Sequence, residues 1–140
     1  MATIFSRIID GEIPGTFVWK DALAVAFLSI NPLSHGHTLV VPRQEVNHWL
    51  DLDPALAAHL MTVAQSIGKA QQRAFGCERV GLIIAGFEVP HTHLHVIPAN
   101  RMADLDFANA ATEPDFDALA AAAAAIRSAL GELGYDEVTE

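Results

Sequence analysis

His91-Thr92-His93-Leu94-His95-Val96-Ile97 is the stretch from which the rest of this chain of 140 residues can be read. Its apolar, β-branched end predicts a strand over His91 to Ile97, and in a strand successive side chains point to opposite faces. The three imidazoles then share one face, about 6–7 Å apart, while Thr92, Leu94 and Val96 turn toward the core. Three histidines on an otherwise apolar strand are a costly way to build a plain surface. Two chemistries use such a row. Imidazoles bind transition metals, as in zinc sites. Near neutral pH they also serve as nucleophile, phosphate ligand and proton carrier at a phosphorus centre. A metal site normally wants a further Cys or carboxylate at a defined position, and nothing beside this strand announces one. Ser34-His35-Gly36-His37-Thr38, where a histidine leads into a buried strand, favours the second chemistry.

Working outward, Val80 to Ala85 reads as a strand bent or ended at Gly86, and Thr38 to Val41 as a buried strand ended by Pro42. Phe17 to Trp19 and Leu23 to Leu28 read as two strands around a turn at Lys20-Asp21. Ile4 to Ile9 predicts a short helix stopped near Gly11. Asp53-Pro54 sets an Asp N-cap before a Pro at the first helical position. Leu56, Leu60, Val63, Ile67 and Ala74 follow at near-helical spacing, and Gly76 suits the stop. Thr112-Glu113-Pro114-Asp115 resembles a capping box, after which Phe116, Leu119, Ala123, Ile126, Leu130 and Leu133 lie along one face up to Gly134. Ala99 to Ala111 is a polar loop or arm. Strands joined by short turns, plus two amphipathic helices, predict an α+β fold with a mostly antiparallel sheet.

The length suits one domain over 1–140: a core from 4 to 98, the arm 99–111 and a C-terminal helix within 112–134. The chain is 51% hydrophobic with a net charge of −9, and no two of its eight Lys and Arg are adjacent. That argues against nucleic acid and anionic lipid as partners. Cys77 is the only cysteine, which fits a reduced, cytoplasmic setting without a disulfide. The start, with Arg7, Asp10 and Glu12, does not read as a signal peptide. The uncharged run from Ala22 to Pro42 is broken by Asn31-Pro32 and His35-Gly36-His37, so no membrane span is expected.

Taken together, these segments resemble the histidine triad family of nucleotide hydrolases and transferases, in its small purine-nucleoside phosphoramidase branch. The signature is His-x-His-x-His followed by Val96-Ile97. Ile4-Phe5-Ser6-Arg7-Ile8-Ile9-Asp10-Gly11-Glu12-Ile13-Pro14 resembles the family's opening helix. Ala26-Phe27-Leu28-Ser29-Ile30-Asn31-Pro32 and Gly36-His37-Thr38-Leu39-Val40-Val41-Pro42 resemble its first strands. The resemblance implies a five-stranded sheet, one long central helix from Asp53 and a homodimer joined sheet to sheet. It implies attack of an imidazole on the α-phosphate of a purine nucleoside monophosphate derivative, through a nucleotidyl-histidine intermediate. By position, His93 matches the nucleophile, with its other ring nitrogen donating to a backbone carbonyl near His91. His95 matches a phosphate ligand, His37 the upstream member of the cluster, and His91 an orienting or relay residue. Nucleotide contacts are implied at Phe27, Ser29, Ile30, Phe87 and Glu88, with no metal or other cofactor.

Several positions depart from that pattern. Zinc-carrying members have a Cys-x-x-Cys pair where this chain has Thr3 and Ser6. Ser29 replaces the usual Asp that accepts from the ribose hydroxyls. Before the triad, Ala85 and Phe87 stand where Asn and Gln are usual in a longer loop, and Glu88 stands where a hydroxyl residue is common. A carboxylate there repels phosphate if it faces inward, and solvent is its expected direction. These departures keep a second reading open, a nucleotide-binding or interaction module with little turnover. A third, a metal-dependent hydrolase using the histidine row, predicts loss of activity with chelator. As residues alone, Trp19 and Phe27 read as core before they read as a base pocket. His35 reads as a turn residue facing water, His48 and His59 as surface, and Asp104 and Asp106 as solvated.

Overall fold

The computed structural model describes residues 2–138, so the end of the acidic tail, Thr139-Glu140, lies outside the described residues. Five strands make one sheet: β1 (Phe17–Lys20), β2 (Ala24–Leu28), β3 (Thr38–Pro42), β4 (Arg79–Ile83) and β5 (Leu94–Ala99). Their order is β1-β2-β3-β5-β4, with every neighbouring pair antiparallel. Three helices accompany them: α1 (Ile4–Ile9), α2 (Pro54–Phe75) and α3 (Phe116–Glu132).

Side-chain alternation divides the strands between two cores. Ala24, Ala26 and Leu28 of β2, Val40 of β3 and Leu94 and Val96 of β5 pack against α2 and α3. Val25 and Phe27, Leu39 and Val41 face the other way, against Phe5 and Ile8 of α1. Leu60, Ile67, Ile126 and Leu130 are fully buried. At about 1.5–3 kcal/mol each, their burial outweighs a helix cap worth about 1 kcal/mol. Packing, more than propensity, holds these helices in place. Asp53 Oδ2 accepts from the Ala55 amide at 3.1 Å, and Gly76 closes α2 in the left-handed conformation, φ 63°. Gln71, in step with the apolar stripe between Ile67 and Ala74, is wholly buried on α2; its Nε2 donates to the carbonyls of Gly36 and Val96, each at 2.9 Å. It ties the start of β3 to β5.

The structure shifts several sequence-based boundaries. The strand expected over His91 to Ile97 runs instead from Leu94 to Ala99. Pro42 has no amide to donate, and its carbonyl is taken by the His91 imidazole at 2.8 Å. On the other side β4 stops at Ile83, short of the expected Ala85, and the chain turns away at Gly86, φ 83°. The residues before Leu94 have therefore lost both ladder neighbours. Thr92 does not face the core as expected: its hydroxyl and amide both donate to the Val46 carbonyl. At the C-terminal helix Asp115, and not Thr112, is the cap, accepting from the Ala118 amide at 3.1 Å. Pro114 disfavours helical backbone at Glu113, so the helix begins later. Phe116 and Leu133, at its two ends, leave the apolar stripe for the surface, and Ala122 and Ala129 join it.

Trp19 is core, edge-on to Tyr135 at 5.5 Å, and takes no part in a base pocket. His59 is not a free surface residue, because its Nε2 meets Asp21 Oδ2 at 2.8 Å. The same carboxylate accepts from Trp19 Nε1 and from the amides of Leu23 and Ala24, fixing the β1–β2 turn. The outer side of β1 is also tied down: Arg127 Nη1 donates to the Phe17 carbonyl at 2.9 Å and the Lys20 amide donates to the Glu137 carbonyl at 3.0 Å. No helix among the described residues is long and apolar enough to cross a membrane.

Candidate active site

The polarity of each imidazole follows from what its two nitrogens touch. The Leu33 amide donates to His37 Nδ1 at 3.0 Å, so in the neutral ring the proton sits on Nε2. His37 Nε2 lies 3.0 Å from His95 Nδ1, which must then accept. His95 is left with its proton on Nε2, as a donor. His93 is set the opposite way: its Nδ1 lies 2.7 Å from the His91 carbonyl and can only donate there. Its Nε2 therefore keeps an unshared pair. One ring offers a lone pair and its neighbour, 4.9 Å away between centroids, offers a proton.

His91 stands behind this pair and is wholly buried. Its Nε2 donates to Pro42, and its Nδ1 accepts from the Thr3 hydroxyl at 2.8 Å. Thr3 is the N-cap of α1 and accepts from the Ser6 amide at 3.1 Å. Glu45 Oε1 in turn accepts from the Thr3 amide at 2.9 Å and the Ser6 hydroxyl at 2.7 Å. Helix start, β3 end and triad start are thus locked through one ring, whose carbonyl sets the His93 tautomer. Phe5 packs edge-on against His93 at 4.9 Å.

Burial keeps the cluster neutral. It pushes His37 down to about 3, with the His95 and His93 imidazoles adding to the effect, and pushes His95 down to about 4, with His93 adding. Burial also lowers His93, against the opposing pull of the His91 carbonyl and the Glu88 carboxylate. The same cause lowers His91, opposed by Pro42 and Glu45. In the unfolded chain these rings titrate near 6.5. Below that pH the unfolded chain binds protons that the folded site refuses, so stability is full above about 6.5 and declines as pH falls. The expected slope is about 1.4 kcal/mol per pH unit for each of His37 and His95, down toward their folded values. Urea unfolding at pH 7.5, 6 and 5 measures this; a midpoint constant across that range would contradict neutral burial.

Two cavities meet at His93 and His95. The larger, about 290 Å³, is lined by Phe5, Ile8, Phe27, Ser29, Ile30 and Phe116 among others. The smaller, about 210 Å³, is lined by Ala85, Gly86, Phe87, Glu88 and Phe107. Phe27, Ser29 and Ile30 thus come together on one side, with Phe87 on the other and Glu88, exposed to solvent as expected, at the rim of both. Phe27 is also buried among core residues, so it serves both ends. His35 is exposed, edge-on to Phe75 at 5.3 Å, and outside the cluster. Phe107 and Phe116 were not expected here. The arm folds into two 3₁₀ turns, Met102–Leu105 and Phe107–Asn109, and sets Phe107 edge-on to His95 at 5.0 Å. Asn31 Nδ2 then donates to the Ala111 carbonyl at 3.0 Å, drawing the arm's end toward Ile30. A lone aromatic in a polar stretch was the signal available for Phe107.

A family model described as the HIT domain matches residues 10–102. The chain belongs to the HIT family. Within it, a HIT-like protein of Borreliella burgdorferi is 40% identical over 102 residues, covering 68% of this chain and 73% of its own. An adenosine 5′-monophosphoramidase of Schizosaccharomyces pombe is 33% identical over 103 residues, covering 70% of this chain and 74% of its own. Among solved structures, a zinc-bound histidine triad family protein from Mycobacterium smegmatis matches with a TM-score of 0.82 at 27% identity, covering 95% of this chain and 96% of that one.

In this HIT chain, zinc does not fit the positions where the family resemblance would put a Cys-x-x-Cys pair. Thr3 and Ser6 offer neutral hydroxyls already committed to His91 and Glu45, and the His91 Nε2 is committed to Pro42. Structural zinc is held by thiolates, imidazoles and carboxylates. Hydrogen bonds occupy that corner of the HIT fold instead.

Proposed function

We propose that this HIT protein hydrolyses the P–N bond of a purine nucleoside 5′-phosphoramidate through a nucleotidyl-histidine intermediate on His93. The observation that carries this reading is the 2.7 Å bond from His93 Nδ1 to the His91 carbonyl, which leaves Nε2 unprotonated where the two cavities meet. The lone pair of Nε2 forms a bond to the α-phosphorus; the P–N bond breaks and its electron pair leaves with the amine, which takes up a proton. Water then adds to phosphorus, the P–Nε2 pair returns to the ring, and one proton of the water is released. His95 Nε2–H, held in that tautomer by His37, is placed to donate to the phosphate oxygens as their charge builds. The larger cavity, with its aromatic and aliphatic walls, suits a purine nucleoside, and the smaller one suits the leaving group.

The test is release of AMP from adenosine 5′-phosphoramidate, with and without EDTA, together with trapping of nucleotidylated protein by a denaturing quench at alkaline pH, where a P–N bond to imidazole survives. Turnover indifferent to chelator, with label on a histidine, is expected. Turnover that needs added zinc would overturn the reading. A second reading is favoured by one observation: Ala85 and Phe87, the latter 96% exposed, bring no polar side chain to the leaving-group side. On it the protein binds nucleotide with little turnover, and AMP binding without AMP release would decide for it.

Ser29 carries a further expectation. Ser29, whose hydroxyl accepts from the Asn31 amide at 3.3 Å, lines the larger cavity, where a carboxylate would accept better from ribose hydroxyls. A charged acceptor adds about 1 kcal/mol over a neutral one, so Ser29→Asp should tighten AMP binding by roughly 3- to 10-fold by calorimetry. Unchanged affinity would place the ribose elsewhere.

We further propose a cytoplasmic homodimer, joined through the edge of β4. The exposed Leu82 on that strand and Met61 on the neighbouring face of α2 support it. Sedimentation of the native protein and of Leu82→Asp measures it, with the variant expected to shift toward monomer.

A further inference from the structure

Glu88 is the one formally charged side chain lining either cavity, and it lines both. The imidazoles beside it are neutral at pH 7, since burial holds His37 and His95 far below that value. No Lys or Arg lines either cavity. The walls around the reacting phosphorus therefore carry one formal negative charge and no formal positive charge. Glu88 has no ion-pair partner among the described residues, so its carboxylate is available to whatever enters. Around it the smaller cavity is apolar and aromatic: Ala85, Gly86, Phe87 and Phe107, the last fixed against His95. Aromatic faces and a carboxylate together are a receptor for an organic cation. The same pair disfavours an anion, which would meet like charge with no compensating donor but His95.

We propose that Glu88 is the specificity-determining residue for the leaving group, selecting amines whose tail carries an ammonium or guanidinium and rejecting amines with an anionic tail. This rests on the hydrolytic reading of His93. Glu88 does not touch the bond that breaks. It acts on the portion of the leaving group that extends into the smaller cavity, by charge.

Three adenosine 5′-phosphoramidates with the same P–N bond and tails of similar length test this: those of ethylenediamine, n-propylamine and β-alanine. In the native protein kcat/KM should fall in that order, with roughly 5- to 30-fold between the cationic and anionic tails at low salt, as for a part-exposed charge contact. Added NaCl should compress the range. Glu88→Gln should bring the ratio near one, and Glu88→Lys should invert the order. Inversion is a result that a merely structural role for Glu88 would not produce, and thermal melts of both variants confirm that the fold is kept. AMP release from all three substrates with the same ratio in native protein, Glu88→Gln and Glu88→Lys would overturn this inference and leave the hydrolytic reading intact. No AMP release from any substrate by the native protein would overturn both.

Discussion

Replacing His93 by alanine is expected to lower AMP release from adenosine 5′-phosphoramidate by about 10⁴-fold or more, the scale seen when the group that forms the covalent bond is removed. The expectation follows from the tautomer. Nδ1 of His93 is the only one of its nitrogens committed to protein, and it is committed as a donor. Neither neighbour can substitute. His95 Nδ1 is occupied by His37, and both nitrogens of His91 are engaged. His93 is buried against Phe5, so the alanine variant also leaves a void and loses some stability. AMP binding by the variant separates the two effects: it should persist, because the larger cavity and His95 remain. Turnover within tenfold of native would show that His93 is not the nucleophile.

The second large effect is expected at Gly36. Its φ of 95° lies in the left-handed region, and an added Cβ would stand 2.4 Å from Cε2 of Phe75, with two more ring atoms at 3.0 and 3.1 Å. The backbone strain alone costs about 1–3 kcal/mol, and Phe75 cannot yield freely while packed on His35 and the main core. Gly36→Ala should therefore destabilise the protein by about 2–4 kcal/mol in urea titration. Activity should fall further than stability, because residue 36 sets the approach of His37 to His95. The double variant Gly36→Ala with Phe75→Ala measures how much of the cost is the clash, since relief of the ring contact leaves the φ strain in place. A loss below about 0.5 kcal/mol, within the range of an ordinary surface change, would contradict the close approach.

The parts of the site that follow from local pattern were legible in the sequence. His37, Leu39 and Val41 share parity along β3, as His95 opposes Leu94 and Val96 along β5, so the face on which the imidazoles gather could be read from alternation. Asp53-Pro54 and Gly76 likewise marked both ends of α2. What the sequence did not disclose depends on contacts between distant residues. Thr3 meets His91 across 88 positions, Glu45 meets Thr3 across 42, and Arg127 reaches Phe17 across 110. Thr112 reads as the cap of α3 from the capping-box pattern alone, but the restriction that Pro114 imposes on Glu113 passes that role to Asp115. Phe107 meets His95 and Phe116 lines the larger cavity through an arm whose end is bonded to Asn31, contacts that join residues distant in sequence. Gln71 is a polar residue at a stripe position of α2 that carried no reading in sequence; its role appears only once Gly36 and Val96 are brought side by side.

The two margins of the sheet are unlike. On β1, Arg127 and Glu137 of the same chain already occupy backbone groups of Phe17 and Lys20, while among the described residues nothing is bonded to the outer margin of β4. A ribbon sealed along one side can be lengthened once and no further. Any pairing of two copies through β4 uses up the free margin of each and leaves sealed margins facing outward. If two copies pair through β4 as proposed, growth strand by strand would stop there, and a fibre would first have to pull Arg127 and Glu137 off β1.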